Sequence, residues 1–175
     1  MYVKITLLTI LYEVVFMKKE TIFLKLAIFF IGIIILAICI FGLPLIARDA
    51  AESSFKMAYV LYGILTVMYV SAIPFFIALY QAFKLLSYID MNNAFSELSV
   101  SALKNIKNCA TTISILYVLS LPLFYIVGEI DDAPGVILIG LIFIFAPMVI
   151  AVFAAVLQKL LKNAIDIKND NDLTI

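Results

Sequence analysis

Tyr62, Thr66, Tyr69, Ser114 and Tyr117, joined by Ser71 and Ser120, place hydroxyls inside stretches that are otherwise apolar. Tyr62, Thr66 and Tyr69 fall at i, i+4 and i+7, which is one face of a helix. Hydroxyls so arranged can do one of two things. They can line a polar path for a solute, or they can bond to carbonyls and to one another between packed helices, at roughly 1 kcal/mol each. The second asks for nothing beyond packing and is the reading we favour. The first makes Tyr62, Thr66, Tyr69, Ser114 and Tyr117 a polar seam between the second and third apolar segments.

Two charged sets could also recognise something. Glu129, Asp131 and Asp132 lie together, and Asp49 and Glu52 occupy another connection. They could attract a cationic peptide or a hard cation. A solvated loop is the simpler reading, with Asp132 as N-cap of the segment that follows and Pro134 in its first turn. Lys84, Lys104, Lys107, Lys159, Lys162 and Lys168 could hold anionic lipid or a protein partner, or could simply record orientation.

Catalytic chemistry is poorly served. The chain has no His, so the commonest metal ligand and the usual proton shuttle near neutral pH are missing. A Ser nucleophile would then need a Lys base, and the lysines stand at the ends of the apolar stretches. There is no His-Glu-x-x-His, no phosphate-binding glycine loop and no metal-spaced cysteine set. The expectation is no enzyme, no cofactor and no metal. Cys39 and Cys109 are expected in opposite leaflets, on the order of 20 Å apart at 1.5 Å per residue. A disulfide needs Cα atoms within about 7 Å, so both read as packing residues.

The elements that must position these groups are four apolar stretches, residues 22–46, 57–83, 109–127 and 133–157. Each has about 20 residues or more, enough helix to cross a hydrocarbon core of about 30 Å. The 175-residue chain is 66% hydrophobic, with a mean hydropathy of +1.19. Soluble proteins run at about 45–50% apolar. The fold class is therefore an all-α integral membrane protein with four transmembrane helices in a lipid bilayer. No stretch carries a charge at its centre, which argues against a proton-coupled pump. There is no Trp, so any interfacial belt is Tyr and Phe.

Lysines set the orientation. Lys18, Lys19 and Lys25 precede or open the first span, Lys84, Lys104 and Lys107 fall in the second connection, and Lys159, Lys162 and Lys168 follow the fourth span. Alternation puts all of these on one side, which the positive-inside rule makes the cytoplasm. Both termini are expected there. Residues 1–16 are apolar but too short to cross. Met17-Lys18-Lys19-Glu20 looks like a bacterial start, which makes 1–16 an untranslated leader read as protein; the other reading is a short interfacial helix. Residues 17–168 form the four-helix domain, and 169–175 a polar cytoplasmic tail.

Residues 84–108 are the one connection with structure of its own. Asp90-Met91-Asn92-Asn93 reads as a turn. Ser96 reads as an N-cap, with Phe95 and Val100 at the hydrophobic-staple positions. Leu98, Ala102, Leu103 and Ile106 make an apolar stripe beside Lys104 and Lys107. This predicts a short amphipathic helix at the inner surface. Asp90, Asn93, Phe95, Ser96, Lys104 and Lys107 form the candidate partner-docking set.

The two halves share landmarks in one order. Gly42-Leu43-Pro44-Leu45 matches Ser120-Leu121-Pro122-Leu123, the run from Pro74 to Ala78 matches that from Pro147 to Ala151, and Lys84-Leu85-Leu86 matches Lys159-Leu160-Leu161. Two tandem hairpins in parallel repeat would give this. Pro44 is expected to end or bend the first helix, and Pro74 and Pro147 to bend theirs at similar depth.

Lys84-Leu85-Leu86-x-x-Ile89-Asp90, then Asn93-Ala94-Phe95-Ser96, then Ser99-Val100-x-Ala102-Leu103-x-x-Ile106 resembles the YoaS-type family of small four-span bacterial membrane proteins. The resemblance covers about residues 22–168. It implies a membrane component of a regulatory or stress module, often encoded beside a Cro-like helix-turn-helix regulator. That regulator would be the cytoplasmic partner, with no direct nucleic-acid binding by this chain. The family has no assigned activity, so no functional residue carries over. Three roles stay open: a partner-docking membrane protein, a small transport protein acting alone or as a homo-oligomer, and an immunity protein against a membrane-active peptide.

Overall fold

In hydrocarbon a backbone must satisfy its own hydrogen bonds, and the helix does so within one segment. The computed structural model describes residues 21–52, 55–91 and 93–172. It contains four long helices: α1 (Thr21–Glu52), α2 (Phe55–Asp90), α3 (Glu97–Ile130) and α4 (Gly135–Asp172). Among the described residues there is no strand. The expectations for residues 1–16 lie outside the described residues. Each helix overruns its apolar stretch, because polar residues at the ends extend the same hydrogen-bond ladder into water.

Pro44 does not end the first helix. The chain widens into a π-turn over Ile38–Gly42, and the Leu43 N–H donates to the Ile38 carbonyl, five residues back. The turn that follows starts at Leu43 and carries Pro44 at its second position. The wider turn absorbs the missing N–H. Pro74, Pro122 and Pro147 are likewise carried inside continuous helices. Pro44 and Pro122 each stand eight residues short of their helix ends, Glu52 and Ile130.

The amphipathic helix expected at the inner surface is not a separate element. It forms the first three turns of α3, which runs unbroken from Glu97. Ser96 caps it with extended backbone, its side chain accepting from the Ser99 N–H. No break follows because no Gly or Pro separates Ile106 from the apolar run at Cys109.

Asp132 also differs from expectation. Its φ is +50, and the Ala133 N–H bonds to the Gly128 carbonyl at 3.0 Å. This is the six-to-one bond of a Schellman ending, with Asp132 at the left-handed position. Asp132 therefore closes α3 instead of capping α4, whose first turn is built on the Ala133 and Pro134 carbonyls.

α3 sits between α2 and α4 and packs extensively with both, while α1 packs on α2. Around Tyr117 the core gathers Ile113 and Phe124 of α3, Ile144 of α4, and Val67 and Phe75 of α2. Glycines mark each interface, Gly128 facing Ile137 beside Gly140 between α3 and α4. A Cβ at Gly32 would meet Leu79 at 3.0 Å, one at Gly63 would meet Leu123 at 3.0 Å, and one at Gly140 would meet Phe124 at 3.1 Å. Between apolar helices in an apolar solvent, such close approach supplies the packing that holds them.

Candidate functional site

The helices alternate in direction, so Lys25, Lys84, Lys104, Lys107, Lys159, Lys162 and Lys168 gather at one end of the protein and Glu129, Asp131 and Asp132 at the other, the end at which Arg48 and Lys56 also fall. At the basic end α2 turns into α3 through a tied corner. The Asn93 N–H bonds to the Tyr88 carbonyl at 2.9 Å, and the Met91 N–H to that of Ser87 at 3.2 Å. Ser99 is fully buried and donates to the Asn93 carbonyl at 3.2 Å, with the Ser96 hydroxyl 3.3 Å away. At the same end of the protein Leu86, Val100, Leu103 and Ile165 are buried.

This corner holds the six docking candidates. Asp90 is engaged: it pairs with Lys25 of α1, and the Lys25 ammonium also lies 5.5 Å from the Phe83 ring centre. Ser96 is committed to the cap, and Asn93 to the turn through its backbone. Phe95 and Lys104 are exposed and Lys107 is half-buried. The exposed large apolar residues of this corner are Met91, Phe95 and Leu98, at 69%, 62% and 57% exposed. The sequence pointed to Phe95 and placed Leu98 on an apolar stripe with Ala102, Leu103 and Ile106, of which Ala102 and Leu103 are buried. Leu98, at the first turn, stays exposed.

The hydroxyl residues do not form one seam. Tyr62 and Tyr69 turn toward α1, bonding to the Ala47 carbonyl at 3.4 Å and the Cys39 carbonyl at 3.0 Å. Thr66 bonds back to the Tyr62 carbonyl at 2.8 Å. Ser114 bonds across to the Ile144 carbonyl of α4 at 3.1 Å. The Tyr117 hydroxyl lies 3.2 Å from that of Ser71, which donates to the Met68 carbonyl, and its ring stacks on Phe143 at 5.1 Å. Ser120 bonds back to the Tyr117 carbonyl. Two groups result, one joining α1 to α2 and one inside the α2–α3–α4 core, with every hydroxyl bonded.

At the acidic end the Tyr125 hydroxyl donates to the Glu129 carboxylate at 2.6 Å. This i, i+4 pair was open to sequence reasoning and was missed. Among the described residues no group of three His, Cys, Asp or Glu could hold a metal ion.

The family model described as protein of unknown function (DUF2975) matches residues 45–175. The chain is 65% identical over 158 residues to the Bacillus subtilis protein named "Uncharacterized membrane protein YoaS". That alignment covers 90% of this chain and 99% of the relative. No solved structure matches. Both findings agree with the resemblance carried by residues 84–106.

Proposed function

We propose that this chain, which belongs to the DUF2975 family of proteins of unknown function, is a non-enzymatic component of the bacterial cell membrane that docks a cytoplasmic protein on its α2–α3 corner. The gathering of lysines at the basic end supports placing that end, and both termini, in the cytoplasm. One observation carries the reading. Met91, Phe95 and Leu98 stay exposed on a corner where the Met91 and Asn93 N–H groups and the Asn93 carbonyl are all hydrogen-bonded. They lie beyond the apolar stretch that ends at residue 83, Met91 by about 12 Å at 1.5 Å per residue. We read their surroundings as the aqueous side of the interface, where exposed apolar side chains make a contact surface.

Lys104 and Lys107 lie about two turns further along α3 at the same end of the protein, which suits a partner with acidic residues. A helix-turn-helix regulator encoded beside the chain is the partner to test. Deleting Ser96–Lys107 would remove buried Ser99, Val100, Ala102 and Leu103, so surface changes are the sharper tool. Combined Met91→Ser, Phe95→Ser and Leu98→Ser should abolish capture of the purified regulator by membranes containing the protein, with insertion intact. Undiminished capture by the triple variant would end the proposal. The bonded state of Tyr62, Thr66, Tyr69, Ser114 and Tyr117 supports packing over permeation as their role.

A further inference from the structure

Between α1 and α2 lies an open groove of about 340 Å³ with almost wholly apolar walls, among them Ile28, Ile33, Leu36, Phe76 and Tyr80. Gly32 forms part of its floor, where a Cβ would come within 3.0 Å of Leu79. From residue 28 to residue 36 it runs about 12 Å along the helix axis. That is most of one leaflet, half of a hydrocarbon core of about 30 Å.

An open groove of this length with apolar walls takes a polymethylene chain laid along it. A helix of a second copy laid over it is the competing occupant, which the test below separates. The charge selects the other end of the occupant. Phe83, a wall of the groove, lies under the Lys25 ammonium. Lys25 is neutralised by Asp90. Lys84, exposed and one turn beyond Tyr80, with its ammonium 5.8 Å from the Tyr88 ring centre, adds a further positive charge. We propose that this groove binds one acyl chain of an anionic phospholipid, with the phosphate held by Lys84 beside the Lys25–Asp90 pair. The site adjoins the docking corner at Asp90 but does not depend on docking.

Native mass spectrometry of the full chain, released from mild detergent, tests this with phosphatidylglycerol and phosphatidylcholine as probes. The wild type should retain one phosphatidylglycerol in preference to phosphatidylcholine. Lys84→Gln should weaken retention about tenfold, the worth of one charge-assisted contact. Ile33→Trp should fill the groove and remove the lipid with helix content unchanged. Equal retention of the two lipids overturns the proposal, as does unchanged retention by Lys84→Gln. So does a dimer that carries no lipid. Should Ile33→Trp fail to fold, the surface variant Lys84→Gln decides alone.

Discussion

The Tyr69 hydroxyl donates to the Cys39 carbonyl at 3.0 Å, from one helix to another across thirty residues of sequence. Cys39 is where α1 needs help. In the π-turn the Leu43 N–H reaches back to Ile38. One position on, the same pattern would pair the Cys39 carbonyl with residue 44, which is proline and has no N–H. A carbonyl left unpaired in hydrocarbon is costly. Tyr69 supplies the donor, and in doing so fixes α1 against α2.

Tyr69→Phe should therefore cost about 1 kcal/mol in mixed-micelle unfolding, the scale of interhelical bonds in membranes. Pro44→Ala returns an N–H to the ladder, so in that background the cost of Tyr69→Phe should fall toward zero. Additive costs in the double-mutant cycle would refute the link between the proline and the tyrosine.

What could be read in advance follows the range of each interaction. The four spans were legible because lipid imposes a length and an absence of charge on contiguous residues. The Ser96 cap was legible because its partner, Ser99, is three residues away. The continuation of α1 through Pro44 was not, since the donor that makes it tolerable sits on another helix. The hydroxyls show the same limit. The i, i+4, i+7 spacing correctly put Tyr62, Thr66 and Tyr69 on one face. It could not say that this face meets α1 while Ser114 and Tyr117 meet the opposite neighbours. The basic and acidic ends were legible, but the Lys25–Asp90 pair needed the α1–α2 packing to bring its members together.

The glycines at the interfaces should respond unequally to alanine. At Gly140 a Cβ would press on Phe124 Cγ at 3.1 Å and Cβ at 3.3 Å, atoms held close to the α3 backbone in the core. Overpacking of about 1–3 kcal/mol exceeds the helix-propensity gain of about 1 kcal/mol, so Gly140→Ala should destabilise. At Gly63 the near atom is a methyl end of Leu123, which can turn away, and Gly63→Ala should be close to neutral. Gly135 has open space within 4 Å, so Gly135→Ala should not destabilise. Thermal unfolding in detergent ranks the three, and a Gly140→Ala protein as stable as the parent would count against the packing account.

Orientation has its own test. Cysteine labelling by a membrane-impermeant reagent should reach a cysteine placed at Glu129 in intact cells. One placed at Lys168 should stay protected until the cells are opened. The reverse pattern would place the basic end outside and remove the docking corner from the cytoplasm.

The sign of one substitution separates two roles for Asp132. As N-cap of α4 it would accept from backbone N–H groups, and replacing it by Gly would cost a few tenths of a kcal/mol. The structure instead gives it a φ of +50 at the end of α3. A side chain is strained there by roughly 1–2 kcal/mol, less for Asp than for most residues. Glycine carries no such strain, so Asp132→Gly should stabilise the protein by about 0.5–1 kcal/mol. Asp132→Val, with a branched Cβ, should destabilise it by about 1–2 kcal/mol. The six-to-one bond from Ala133 to Gly128 is the contact that Asp132→Val loosens and Asp132→Gly keeps. Amide exchange at Ala133 should therefore quicken in the Val variant and slow in the Gly variant. Loss of stability in Asp132→Gly would restore the capping role and the sequence expectation with it.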